Sequence, residues 1–165
     1  MTEKKKKIYS VLVENKSGVL SKVSGLFARR SFNIDSLAVG ETDDPTVSVM
    51  TIVSSGDHRT LEQIEKQLNK KLDVIKVKTF TEPNSVSKEL LLMKVRYNKS
   101  NRREILDTCD MMKAEIVDMS KSNMMIQLCA APEKVALFIK LMASVSIVEM
   151  ARTGTLALPK CVDQD

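Results

Sequence analysis

Tryptophan is absent from this sequence, and tyrosine and phenylalanine together supply only six residues, two and four. So few aromatics leave no stacking platform for single-stranded nucleic acid on a sheet, and the apolar stretch Thr46–Ile52 contains none at all. Histidine occurs once, as His58 beside Gly56-Asp57, where a solvated place in the first turn of a helix is expected. The three cysteines, Cys109, Cys129 and Cys161, are odd in number, far apart and without a C-x-x-C pair. Disulfide frameworks, zinc sites and Ser/His/Asp constellations therefore all lack parts, and neither a catalytic residue nor a metal ligand is assigned. No apolar run reaches the roughly 18 to 20 residues that a membrane helix needs. Met1-Thr2-Glu3-Lys4-Lys5-Lys6-Lys7 leads into a strand-like segment rather than the apolar core of a signal peptide, so a soluble, unprocessed, cytoplasmic protein is expected.

What is present is ordinary globular stock: 165 residues, 43% hydrophobic and 28% charged, enough for one medium domain or two small ones. The formal charge of +5 resolves into +3 on residues 1–7 and +1 on each of the stretches 8–80 and 81–165. The basic balance is thus mostly a terminal tetralysine, expected as a solvated arm, and the body is nearly neutral. No nucleic-acid partner and no membrane follow from it.

Apolar periodicity alternates with helical spacing twice over. Ile8 to Glu14 reads as a strand; Val19, Leu20, Val23, Leu26 and Phe27 then fall on one helical stripe. Asn33–Val39 and Thr46–Ser54 read as strands joined by a turn over Glu41–Pro45, Gly56-Asp57 opens a helix with Leu61, Ile64 and Leu68 inward, and Asp73–Phe80 is a strand. After Thr81–Ser87 the order repeats. Lys88–Tyr97 is a strand, Asn101–Met112 a helix, Ala114–Met119 and Met124–Cys129 strands, Pro132 the first residue of a helix, and Ser146–Arg152 a strand. The expectation is an α+β protein of two ferredoxin-like βαββαβ domains in tandem, residues 8–80 and 88–158, with 81–87 as linker.

The strand-to-helix corner is itself repeated: Glu14-Asn15-Lys16-Ser17-Gly18 meets Tyr97-Asn98-Lys99-Ser100-Asn101 at an offset of 83, and Asn33 falls opposite Glu115 at an offset of 82. A helix start carries unpaired N–H groups and the positive end of the helix dipole, so it can hold a carboxylate. Gly18 would let a ligand approach the backbone there, and Asn15 could pin a small polar head. From these residues alone the plainer reading is a tight turn with Asn15 or Ser17 as helix cap. Val13, Leu20 and Ile34 offer an apolar wall, which together with Asn33 sketches a pocket for a small aliphatic amino acid rather than a nucleotide.

Val11–Leu20, Gly25–Arg30, Phe32–Leu37, Thr42–Pro45, Leu61–Leu68, Glu89–Val95 and Ala151–Gly154 resemble the small regulatory subunit of acetolactate (acetohydroxyacid) synthase, from about Ile8 to Leu158. The resemblance implies an ACT domain at 8–80, a second ferredoxin-like domain, and a homodimer through the ACT domains. It also implies a non-catalytic chain that binds the large catalytic subunit, with thiamine diphosphate, magnesium and FAD on that partner and no cofactor here. Valine or another branched-chain amino acid would sit between two protomers, against Asn15, Gly18, Val19 and Leu20 of one and Asn33 and Ile34 of the other. The sequence departs from the family pattern at Val49, where an arginine is common, and at Ser31, where a glycine is. A free-standing amino-acid-sensing ACT protein is the alternative. Eight of the ten methionines fall in the second copy, and of the adjacent Met124 and Met125 one is expected on the sheet face away from the helices.

Overall fold

The protein is described here by a computed structural model covering residues 5–80 and 84–161. Lys4 of the tetralysine and Thr81–Pro83 of the expected linker lie outside the described residues. The chain divides into two compact units, one formed by residues up to Val86 together with those from Thr155 onward, the other by Ser87–Gly154.

The first unit runs β1 (Lys5–Glu14), α1 (Val19–Arg29), β2 (Ser36–Glu41), β3 (Val47–Gly56), α2 (His58–Leu68), β4 (Val74–Phe80). Its sheet is antiparallel in the order β2-β3-β1-β4. Alternation in β1 sends Tyr9, Val11 and Val13 to one face, all at most 1% exposed. The stripes Val19/Val23/Phe27 and Leu61/Ile64/Leu68 close over them in one core, each fully buried aliphatic contributing about 1.5–3 kcal/mol. Tyr9 donates its hydroxyl to Leu61 O at 2.8 Å. Burial, with the Glu65 carboxylate adding to it, pushes that phenol far above its ordinary range, so it stays a donor.

Two expectations shift at the edges of these elements. The tetralysine is not wholly a solvated arm: Lys5, Lys6 and Lys7 pair with Gly56, Ser55 and Ser54. Lys7 also reaches Glu65 at 2.7 Å and lies over the Tyr9 ring. The second strand begins at Ser36 rather than Asn33, because the chain leaving α1 is first spent on a helix cap. Ser31 adopts φ 55°; Ser31 N–H donates to Ala28 O and Phe32 N–H to Phe27 O, and the Phe27 and Phe32 rings meet edge to face at 6.2 Å. This is a Schellman cap with its hydrophobic contact. α2 starts as read, with Asp57 accepting from Thr60 N–H at 2.7 Å and His58 82% exposed.

The second unit repeats the plan as β5 (Ser85–Arg96), α3 (Arg102–Met112), β6 (Glu115–Met119), β7 (Asn123–Ala130), α4 (Pro132–Leu141) and β8 (Ile147–Arg152), in the order β6-β7-β5-β8. The architecture is therefore α+β, two βαββαβ units. Leu91, Met93, Val95, Met124 and Ile126 are buried against the helices, while Met125 lies on the opposite face. Burial raises the Cys109 thiol to about 11, Asp110 adding to the effect, which keeps it inert core packing.

Beyond Arg152 the boundary differs from the expected 158. Gly154, at φ 81°, turns the chain, and residues 155–161 belong with the first unit. Thr155 N–H donates to Ser36 Oγ at 2.8 Å, β9 (Leu156–Pro159) packs beside β4, and Lys160 N–H bonds Asn84 O. On the face of the first sheet away from its helices, Thr51, Val53 and Phe80 are all under 9% exposed. The expected linker is also shorter, since Ser85–Ser87 already belong to β5.

The Ala151–Gly154 stretch has a structural task in the second unit. Arg152 holds the buried Glu89 carboxylate two-handed, Nε to Oε1 at 2.5 Å and the second nitrogen to Oε2 at 2.9 Å. Thr153 hydrogen-bonds Leu90 through both backbone and hydroxyl, prolonging the β5–β8 ladder. Glu89 is 3% exposed and the Arg152 side chain 42%, so water screens one side of the pair only.

Arg152→Ala should lower unfolding free energy by about 2–3 kcal/mol in urea titration, since it strands a buried carboxylate. Ser31→Gly should raise the urea midpoint, by relieving about 1 kcal/mol of left-handed strain while leaving the Schellman hydrogen bonds in place.

Candidate functional site

α1 opens without a side-chain cap. Its N-cap is Gly18, at φ 83° and ψ −7°, a conformation that disfavours side chains, and a Cβ built there would meet nothing within 4 Å. Neither Asn15 nor Ser17 caps the helix. Val19 N–H bonds Lys16 O at 3.3 Å, but the N–H groups of Leu20 and Ser21 have no acceptor among the described residues. No acidic residue stands in the first turn. The result is a bare, positively polarised helix start beside open space.

Asn15 is turned away from that start. Its Nδ2 donates to Glu41 Oε1 at 3.0 Å and to Pro45 O at 2.8 Å, and its backbone N–H donates to Thr46 O at 2.7 Å. It thus ties the β1–α1 corner to the β2–β3 turn. Gly18 is exposed, Leu20 is 44% exposed over the same corner, and Val19 is buried at 3%, so Val19 offers a ligand its backbone and not its side chain.

Asn33 and Ile34 lie elsewhere. Asn33 Nδ2 donates to Asp35 Oδ1 at 2.5 Å, and its carbonyl accepts from Ser54 Oγ at 2.6 Å. Ile34 packs at the margin of the first core. Asn15 is anchored at Thr46, just ahead of β3, and Asn33 at Ser54 within it, eight residues on, which is about 27 Å of extended chain. One chain therefore does not bring the two asparagines together. Asp35, Glu41, Pro45 and Ser55 are the neighbours that sequence reading missed, because only the strand register sets these loops side by side.

The second unit shows what a closed version of the corner looks like. Asn98 Oδ1 accepts from Ser100 N–H, Ser100 Oγ and Asn101 N–H, and Asn101 Oδ1 accepts from Asn98 N–H. Glu104 stands in the first turn of α3, and Glu115 is exposed at the position matching Asn33. Loop polar groups satisfy each other there, and an anion would meet a carboxylate. Val49 pairs with Leu12 and Gly40 and faces away from the first unit's helices. Among the described residues no three His, Cys, Asp or Glu side chains gather to hold a metal ion, and no helix is long and apolar enough to cross a membrane.

Comparison with known proteins agrees across the chain. Residues 9–76 match the AHAS small subunit-like ACT domain, and residues 88–161 match the small subunit of acetolactate synthase. The chain is 47% identical to a probable acetolactate synthase small subunit of Archaeoglobus fulgidus, over 90% of this chain and 93% of that protein. It is 45% identical to the acetolactate synthase small subunit of Haemophilus influenzae, over 94% and 96%. The crystal structure of the acetolactate synthase small subunit from Thermotoga maritima superimposes with a TM-score of 0.89 at 38% identity, covering 96% of this chain and 99% of that one. With an ACT domain in its first unit and the small-subunit module in its second, this chain belongs to the acetolactate synthase small-subunit family.

Proposed function

We propose that this chain is the non-catalytic regulatory subunit of an acetolactate synthase, binding valine or a related branched-chain amino acid between the ACT domains of two protomers and passing that signal to the catalytic subunit. The single observation that carries the ligand reading is the bare start of α1, where two N–H donors lie without acceptors beside a residue that has no side chain. A carboxylate fits those donors, and the exposed Leu20 gives a short apolar side chain something to lie against.

The separation of the two asparagines supports a site shared between chains. In a two-fold dimer each contact is made twice, residue i of one copy on residue j of the other. β2 is an edge strand next to α1's exit, with Val39 46% exposed. Pairing two copies there antiparallel would bring the Asn33 end of one α1 toward the Gly18 end of the other. Each dimer then carries two equivalent sites. Carbon–carbon bond chemistry, with thiamine diphosphate, magnesium and FAD, belongs in this reading to the large subunit.

Valine should bind the purified chain with micromolar to millimolar affinity, about −8 to −4 kcal/mol, measurable by titration calorimetry. Gly18→Asp places a carboxylate on the bare helix start and should weaken valine at least tenfold, as an approximate lower bound from like-charge repulsion. Gly18→Asn, which tolerates the same φ but adds no charge, should weaken it less. Unchanged affinity in Gly18→Asp would refute the site. Sedimentation at micromolar concentration should give a dimer with valine present, and a monomer would count against the shared pocket.

A further inference from the structure

The two edges of the first sheet are built differently. At one edge β4 carries the exposed Lys76 and Lys78 and has β9 beside it, and both features discourage a further strand from adding there. At the other edge β2 reads Ser36-Leu37-Ala38-Val39-Gly40-Glu41, with no lysine and no proline. Its outward N–H and C=O groups have no strand beside them among the described residues. β3 holds β2 through the ladder and, just ahead of it, through three further bonds: Asp35 N–H donates to Val53 O at 2.8 Å, Ser54 Oγ to Asn33 O at 2.6 Å, and Ser55 Oγ to the Asp35 carboxylate. One more bond comes from the far end of the chain, where Thr155 N–H donates to Ser36 Oγ at 2.8 Å. Ser36 pairs with Val53, next to the core residue Ile52, so both side chains lie on the face away from the helices. Thr155 thus reaches β2 from that face and leaves its free edge open.

The donor is itself held in place. Thr153 N–H bonds Leu90 O at 3.0 Å, and Gly154, at φ 81°, then turns the chain. Beyond the turn Thr155 and Ala157 are 7% and 6% exposed, while Leu156 and Leu158 are 52% and 71% exposed, the alternation of a strand with one seated face. Lys160 N–H bonds Asn84 O just ahead of β5, and β9 pairs with β5. We propose that residues 155–160 are a latch on the pairing edge of the first unit: seated, they hold the start of β2 in the register that a second copy of this chain needs, and lifted, they let it loosen. This deepens the reading above and rests on it for pairing through β2. Because Thr155 directly follows the second unit in the chain, the latch makes that edge answer to the last strand of the second unit.

Ser36→Ala removes the acceptor, Ser36→Thr keeps it, and Ala157→Asp sets a carboxylate on the seated face and lifts the segment. The test is sedimentation equilibrium on the full chain and these variants, with hydrogen–deuterium exchange followed in β2 and, as a reference, in β7. Losing one ordinary hydrogen bond should cost the pairing conformation about threefold in each copy, and since both copies must be latched, Ser36→Ala should raise the dimer dissociation constant about tenfold. Ala157→Asp should raise it by about tenfold or more, and Ser36→Thr should stay within about threefold of the unaltered chain. Exchange should quicken in β2 in the first two variants and stay unchanged in β7, which a global loss of stability would not produce. Circular dichroism checks that each variant is folded, and the Ser36 pair stands independently should Ala157→Asp fail to fold. An unchanged dissociation constant in Ser36→Ala, a Ser36→Thr dimer as weak as that of Ser36→Ala, or exchange in β7 rising in step with β2 would overturn the proposal. Val39→Lys separates the two levels, because it places like charges on the β2 edges of both copies and should dissociate the dimer. A dimer indifferent to Val39→Lys would remove pairing through β2, whereas dissociation there with an unchanged constant in Ser36→Ala and Ala157→Asp would remove the latch alone.

Discussion

At Gly18 the backbone passes through φ 83°, and because no side chain covers the turn, the N–H groups of Leu20 and Ser21 are left without acceptors among the described residues. Much of what the first unit can do follows from this one conformation. A residue with a side chain would be strained there, and a capping residue would take up the donors. The neighbouring loops are arranged consistently with leaving them free: Asn15, the obvious local acceptor, is drawn off by Glu41 and Pro45, and no acid occupies the first turn.

The second unit uses the same chain plan for the opposite end. Its corner is filled by a closed set of bonds among Asn98, Ser100 and Asn101, and Glu104 supplies the negative charge that complements the dipole of α3 from within. The loop groups ahead of α3 thus satisfy one another, whereas the residues ahead of α1 are tied to the β2–β3 turn through Asn15. The difference comes down to a few side chains on nearly superimposable topologies, β2-β3-β1-β4 and β6-β7-β5-β8.

The C-terminal residues add a constraint that neither ferredoxin-like plan requires. After the Glu89–Arg152 pair and the Thr153 bonds fix the end of β8, Gly154 redirects the chain, Thr155 bonds Ser36 and β9 comes beside β4. A four-stranded sheet with helices on one side leaves its other face to be covered or wetted. Here part of that face is buried, at Thr51 and Val53, while Lys76 and Lys78 on the same face stay exposed.

The order of strands and helices, the duplication and the buried stripes were determined by the sequence, because period-2 and period-3.6 patterns are local records of which face meets the core. Gly18 and Asn15 could likewise be singled out, since a glycine at a strand-to-helix corner is a local signal. Only the tertiary structure decided that Asn15 faces Glu41 and Pro45, that Asn33 lies in a capping loop and not in a strand, and that Asp35 reaches Ser55. It alone also placed Glu89 against Arg152, 63 residues away, and laid Thr155 on Ser36, 119 residues away. These are contacts between segments whose mutual register is set by sheet pairing and crossover, and no periodicity within either segment encodes its partner.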